Sequence, residues 1–321
     1  VKEFDLIGRY FADGGHQRKD VIIGIGDDCA VTSLAPNQQL AITTDTLISG
    51  VHFLEDTPAR SVAYKAVAVN LSDLAAMGAE PAWISLSLSL PEFNDAWLEE
   101  FAAGLYELTQ YYSVQLIGGD TVKGPLSLTI TAQGFIPPNN ALTRSAAKPG
   151  DWIYATGSLG DAGAGLDILQ GKLNADFTQR DFLVNKHLFP SPRVAAGTAI
   201  RRIANACIDV SDGLVADLQH ILRASKCGAM VHVDKLPLSE ALVSCVGREQ
   251  AIQYALTAGD DYELLFTVNE EHKGILETSL SSTNVKATCI GQITGQANKL
   301  ELKLNDVPFA VPEKGGYLHE F

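Results

Sequence analysis

Aspartates dominate the residues of this chain that can do chemistry. Asp27 and Asp28 follow a short β-branched run and a glycine. Asp45 follows Thr43 and Thr44, and Asp120 stands behind Gly118-Gly119. Asp209 and Asp212 flank a strand-to-helix junction, while Asp73 lies three residues after Asn70 on one face of a helix. A single aspartate at a strand end is ordinarily a turn former or a helix N-cap, and Asp212, next to Ser211, would suit a cap. Five or more, several with glycine beside them, point to a shared site. Converging carboxylates repel one another and need cations, and carboxylates without His or Cys suit hard ions such as Mg2+. Mg2+ is usually held by one or two carboxylates plus substrate phosphates, so this many aspartates imply more than one ion.

The glycines add a second hint. Gly118-Gly119 lets backbone approach a ligand closely, and the run from Gly157 to Gly165 (GSLGDAGAG) can offer amides at a helix N-terminus to a phosphate. The chain has no GxxxxGK[ST] run, which excludes a P-loop, and no protein-kinase HRD or DFG set.

The elements that must carry these residues alternate between strand and helix. Strands are expected at Val21–Ile25, at Leu40–Thr44 ending on Asp45, and at Ile84–Leu90, where Ser85, Ser87 and Ser89 alternate with apolar residues. Further strands fall at Val114–Ile117, stopping at Gly118-Gly119-Asp120, and at Leu126–Ile136. Thr57-Pro58 starts a helix that runs to Met77 before Gly78, and Trp97–Tyr112 reads as another. Pro137-Pro138-Asn139-Asn140 is the strongest break, so two domains are expected, 1–138 and 139–321. In the second, strands are expected at Asp151–Thr156, Ala206–Val210, Glu263–Val268, Lys286–Ile293 and Lys299–Leu304. Helices are expected from Asp161, at Arg180–Leu188 and Arg193–Ile203, and from Ser211-Asp212 to Ala224. Both halves are α/β or α+β.

Composition narrows the function classes. The 321 residues carry 38 Asp+Glu against 24 Lys+Arg, a net charge of −14, which argues against non-specific nucleic-acid binding and against docking on anionic membranes. No stretch reads as a membrane span or a signal peptide. Five widely spaced cysteines without a CxxC fit reduced thiols and a cytoplasmic location.

Several runs resemble those of bacterial thiamine-monophosphate kinases. They are Gly24-Ile25-Gly26-Asp27-Asp28, Thr43-Thr44-Asp45-Thr46, Gly50-Val51-His52-Phe53, the run AVNLSDLAAMGA from Ala68 to Ala79, Gly118-Gly119-Asp120-Thr121, Leu142-Thr143-Arg144-Ser145, DVSDGL from Asp209, and Gly259-Asp260-Asp261-Tyr262-Glu263. They keep the family order along essentially the whole chain. The resemblance implies the two-domain fold of aminoimidazole ribonucleotide synthetase-like proteins, an α/β plus an α+β domain. It also implies that the N-terminal four-stranded sheet pairs in a homodimer. The implied reaction is ATP + thiamine monophosphate → thiamine diphosphate + ADP.

By motif position, Asp28, Thr43, Thr44, Asp45, Asp73, Asp120 and Asp212 would hold Mg2+, with Asp209 as a further ligand and K+ as a further candidate ion. Asp45, Asp120 and Asp212 would be the catalytic aspartates. Gly119, Asp120, Arg144 and Ser211 would contact ATP, and His52, Asp260 and Tyr317 the thiamine phosphate. The family commonly carries Glu where this chain has Asp260. Two other readings stay open on the residues: a superfamily relative with another small-molecule substrate, and a nucleotide-binding protein without turnover. Substrate-dependent ADP release separates them.

Overall fold

The computed structural model describes residues 3–12, 14–313 and 315–316. Its backbone contacts divide the chain into two compact units, Val1–Leu74 with Ala79–Asn139, and Ala75–Gly78 with Asn140–Phe321.

In the first unit, helix α1 (Glu3–Ile7) runs into a π-helical turn (Gly8–Ala12), and β1 (Val21–Ile23) pairs with β2 (Val31–Thr32) in a small antiparallel ribbon. The rest is β3 (Gln39–Ile48), α2 (Ala59–Ala76), β4 (Glu80–Leu90), α3 (Asp95–Tyr111), β5 (Gln115–Lys123) and β6 (Ser127–Ile136). The main sheet has the order β3-β6-β4-β5, with only the β4–β5 pair parallel. Strand alternation decides its two faces. Ile84, Leu86, Leu88, Leu128, Ile130 and Ala132 are buried on one. The other is rich in hydroxyls, with Thr44 bonded to Thr131 (2.9 Å) and Thr46 to Thr129 (2.8 Å). Helix α2 lies on the apolar face, where its Asp73 meets Thr43 and its Leu74 meets Gly134. It is buried on nearly every side, which explains its run of small apolar residues with little polar face.

Two strands run further than the sequence reading expects. Pairing with β6 carries β3 on to Ile48, and pairing with β4 carries β5 on to Lys123. Asp45 and Asp120 therefore sit inside strands, and Gly118-Gly119 is no terminator. The reason is close approach: a Cβ on Gly119 would lie 1.8 Å from the Leu86 carbonyl oxygen, so only glycine keeps β5 on its ladder there.

The second unit contains β7 (Trp152–Thr156), α4 (Asp161–Leu169), α5 (Phe177–Leu188), α6 (Val194–Ile200), β8 (Ala204–Asp209), α7 (Leu214–Ser225), β9 (Gly228–His232), α8 (Glu240–Val246), α9 (Arg248–Thr257), β10 (Leu264–Val268), α10 (Glu270–Leu280), β11 (Ala287–Thr294), β12 (Leu300–Leu304) and β13 (Val307–Phe309). Its seven-stranded sheet has the order β13-β12-β9-β11-β7-β10-β8. Strand β9, near the middle, has no counterpart in the sequence reading. It is short, opens on a glycine, and is specified by its buried neighbours more than by its own pattern. Helix α7 turns Leu214, Leu218, Ile221 and Leu222 into the core with Ile153, Ile208 and Leu265. The helix starts at Leu214 after Gly213, so neither Ser211 nor Asp212 caps it.

Candidate nucleotide and metal site

The first unit carries an open cleft of about 580 Å³. One wall is apolar, with Ile7, Phe11, Leu86, Leu116 and Ile117; the other carries Asp27, Asp28, Gly118, Gly119, Asp120 and Ser85. This volume suits a small-molecule ligand, and the two walls suit one with an apolar ring and an anionic tail held through cations. A turn and a strand build the polar wall. Gly26 (φ +118) turns the chain after β1 and presents Asp27 and Asp28, and glycine-bearing β5 presents Asp120. Among the described residues no Lys or Arg side chain pairs with Asp28 or Asp120, so their charge faces the cleft uncompensated.

A second carboxylate group lies on the other edge of the sheet. Thr43 and Asp45 share the face covered by α2, and the Thr43 hydroxyl donates to Asp73 Oδ2 at 2.5 Å. Burial pushes Asp45 up to about 6, and the Asp73 charge adds to the shift. A half-buried carboxylate that resists ionising beside a second one is the electrostatic state a divalent cation relieves. Thr44 points its hydroxyl to the opposite face, toward Thr131, so its side chain is not with Asp45. His52 follows β3, and its Nδ1 accepts the Ile48 N–H at 3.1 Å, which leaves Nε2 as the ring N–H.

These oxygen donors fit Mg2+, but the described residues do not gather three carboxylates into one cage. Among the described residues, no three His, Cys, Asp or Glu side chains come together closely enough to hold an ion. Strands β3 and β5 are opposite edges of the sheet, three strand spacings apart or ~14 Å, so Asp45 and Asp120 of one chain do not meet.

In the second unit the structure brings Asp209, Ser211, Asp212 and Asp260 into one neighbourhood. The Asp260 N–H donates to the Ser211 carbonyl and the Tyr262 N–H to that of Val210, both at 2.8 Å. Asp260 (φ +68) and Tyr262 (φ +50) are non-glycine residues in left-handed backbone, a strained turn of the kind that clusters at ligand sites. The Asp260 carboxylate accepts the Tyr262 hydroxyl at 3.1 Å and stands 3.5 Å from His187 Nδ1. Arg144 and Asp212 both act on His220 of α7. Burial is the main cause that lowers His220, Arg144 and Arg223 lower it further, and Asp212 opposes them. Tyr317 lies outside the described residues.

Two groups that the sequence reading missed hold this neighbourhood together. Asp217, buried in α7, accepts the N–H groups of Ser211, Asp212 and Gly213 on one oxygen at 3.0, 3.0 and 3.1 Å. Burial pushes Asp217 up to about 7, with Asp212 adding and the three donors opposing. Asp261 accepts the Gly160 N–H at 2.7 Å and the Ala162 N–H at 3.3 Å, and burial raises it well above the usual carboxylate range. The expected phosphate cradle at Gly157–Gly165 therefore has two of its amides taken by the chain's own carboxylate. Beside it, Arg193 forks onto Glu263 at 2.6 and 2.5 Å, and Thr156 donates to the same carboxylate at 2.6 Å. The local signal for Asp217 was its place one turn into a helix behind a glycine; nothing local marks Asp261 as a partner for residues about a hundred positions away.

The family model described as AIR synthase related protein, N-terminal domain, matches residues 26–136, and the C-terminal domain model matches 148–303. Thiamine-monophosphate kinase of Escherichia coli strain K12 is 52% identical over 98% of this chain and 97% of that protein. The crystal structure of thiamine-monophosphate kinase from Stenotrophomonas maltophilia K279a superposes with a TM-score of 0.85 at 44% identity, covering 91% of this chain and 93% of that one. The structure of AaThiL complexed with AMPPCP and TMP superposes with a TM-score of 0.78 at 31% identity, covering 92% of each chain. The expected two-domain fold is that of these relatives. The chain belongs to the thiamine-monophosphate kinase family, within the AIR synthase related proteins.

Proposed function

We infer that this chain transfers the γ-phosphoryl group of ATP to the phosphate of thiamine monophosphate, giving thiamine diphosphate and ADP. The observation that carries the reading is the 52% identity to a thiamine-monophosphate kinase over 98% of the chain. The AaThiL complex with AMPPCP and TMP supports the same pair of ligands.

The acceptor needs no catalytic base. A phosphate monoester has its second pKa near 6 and is mostly dianionic at neutral pH. The obstacle is repulsion between two anionic phosphates. Mg2+, when bound, would screen that repulsion and align the groups for in-line transfer. The chain's part is to present oxygen donors: Asp28 and Asp120 at the cleft, Thr43, Thr44, Asp45 and Asp73 at the β3 edge, and Asp209 and Asp212 beside α7. Gly119 lets backbone approach the nucleotide, Ser211 offers a hydroxyl, and Arg144 offers a planar fork to phosphate. His52, through Nε2–H, would donate to the substrate phosphate. Asp260 and Tyr317 would contact the thiamine phosphate, a carboxylate and a ring that also suit the thiazolium cation.

The strand order supports a homodimer as the working unit, with residues 1–138 as its ATP- and Mg2+-binding and dimerisation domain and 139–321 as the second domain. A second copy that lays its β5 edge beside this β3 edge would set the strand that carries Asp120 of one chain next to the strand that carries Asp45 of the other. The hydroxyl-rich open face of the sheet, with Ile42 60% exposed, supports that pairing. The thiol set supports a cytoplasmic enzyme, and no helix among the described residues is long and apolar enough to cross a membrane. The test is thiamine diphosphate formation from ATP, Mg2+ and thiamine monophosphate, with thiamine in a parallel reaction. Product from the monophosphate alone is expected. Product from thiamine, or no product while ATP binds, would overturn the reading.

A further inference from the structure

The geometry points to Asp217 as a positioning residue that sets Ser211 and Asp212 for nucleotide and metal binding; it rests on the roles proposed above for those two residues. Three successive backbone N–H groups, of Ser211, Asp212 and Gly213, converge on Oδ2 of Asp217 at 3.0, 3.0 and 3.1 Å. Convergent amides of this kind form a nest that ordinarily receives an anion from outside. Here the chain fills it with a side chain that is only 2% exposed. The amides are thus committed inward, which fixes the backbone that carries the side chains of Ser211 and Asp212.

Ordinary capping does not describe this contact. A capping side chain belongs to the residue before the first turn and satisfies the second or third amide of its own helix. Asp217 lies four residues into α7 and reaches back to amides that precede the helix. The other side of the loop is held as well. The Ser211 carbonyl accepts the Asp260 N–H at 2.8 Å, and a Cβ on Gly259 would fall 2.3 Å from that same oxygen. Gly213 (φ +124) makes the bend, and a Cβ there would meet the Thr257 carbonyl at 2.9 Å. The loop therefore has one carboxylate behind it and one substrate-loop amide in front, so a shift of Asp217 moves Asp212 relative to Asp260.

Three full-length variants, D217A, D217N and D212N, test this. The readouts are thermal unfolding, amide hydrogen exchange at Ser211–Gly213 without nucleotide, and kcat and half-saturating Mg2+ for thiamine diphosphate formation. D217A removes the acceptor of all three amides and D217N keeps a weaker one, so D217A is expected to lower kcat and raise half-saturating Mg2+ by ~10-fold each, and D217N by ~3-fold. Amide exchange at Ser211–Gly213 should quicken in the same order. A folded D217A that keeps the parent's kcat, Mg2+ dependence and loop exchange, with only its unfolding temperature lowered, overturns the inference. If D217A does not fold, D217N decides: parent-like Mg2+ dependence and exchange in D217N overturn it. D212N separates the two levels of argument. An unimpaired D212N removes the metal role of Asp212 itself, whereas an impaired D212N beside a parent-like D217A removes only the positioning role of Asp217.

Discussion

Glycine-bearing segments in the two units have opposite fates. Gly26 and Gly118-Gly119 in the first unit open onto a cleft of about 580 Å³ whose carboxylates have no cation beside them among the described residues. In the second, the turns before α4 and α7 are already filled, by Asp261 and Asp217, and the adjacent Glu263 is matched by Arg193. The first arrangement leaves charge for a ligand and its ions to satisfy. The second spends its charge internally and holds a strained loop and an acidic loop in place. A glycine-rich turn thus shows where amides can gather, and only the surrounding side chains decide whether a ligand or the protein takes them.

The largest expected effect tests the self-satisfied unit. Arg193→Ala leaves Glu263 buried without its cationic partner, and the cost should be about 3–5 kcal/mol in thermal or denaturant unfolding. A loss below about 1 kcal/mol would mean that the pair is effectively solvated and the contrast between the units is weaker than drawn.

Next come the open carboxylates. Asp45→Asn and Asp120→Asn should each lower kcat by ~100-fold or more while unfolding stays near the parent's. Near-normal turnover in both at ordinary Mg2+ would remove the metal-clamp account. Mixing the two inactive variants sharpens the point: if Asp45 and Asp120 act across a twofold dimer, random exchange of subunits should restore about a quarter of the parent's sites. No recovery after verified exchange would place both residues' action within one chain.

Smaller effects follow from single atoms. Gly119→Ala forces β5 away from the Leu86 carbonyl and should cost about 1–3 kcal/mol and raise KM for ATP. Gly118→Ala meets nothing within 4 Å and should fold like the parent, so equal damage from both would contradict the close-approach argument.

The smallest is a pH effect. Burial keeps Asp261 protonated in the folded state to a pH well above its ordinary value of 3.8. Its contribution to stability is complete below that value and is lost as pH rises toward the folded-state value. Asp261→Asn cannot titrate, so its unfolding free energy should fall less steeply than the parent's above pH 3.8. Parallel curves would show that Asp261 stays ionised on its two amides.

Much of this was legible in the residues. The Ser85–Ser89 stripe marked a sheet with one apolar face, and Thr57-Pro58 and Gly78 bracketed α2 within two residues. The boundaries of β3 and β5 were not legible, because glycine and aspartate ordinarily end strands and only the partner strands carry these two past them. Strand β9 and helices α8 to α10 were not assigned either: β9 rests on its buried neighbours, while α8 and α10 bury only one and two residues and start on the local caps Ser239 and Asn269.

By itself the sequence determined the chemistry available: hard oxygen donors, one candidate phosphate fork in Arg144, and motif runs that place the chain in its kinase family. Side-chain type survives any change of fold, so these conclusions needed no coordinates. The tertiary structure alone decided which donors share a face, that Asp45 and Asp120 stand on opposite edges of one sheet, and that two glycine-rich turns are closed by the protein's own carboxylates. Strand register and contacts between residues up to about a hundred positions apart set those relations. Both depend on which surfaces the whole chain buries together, a property that no local run of residues contains.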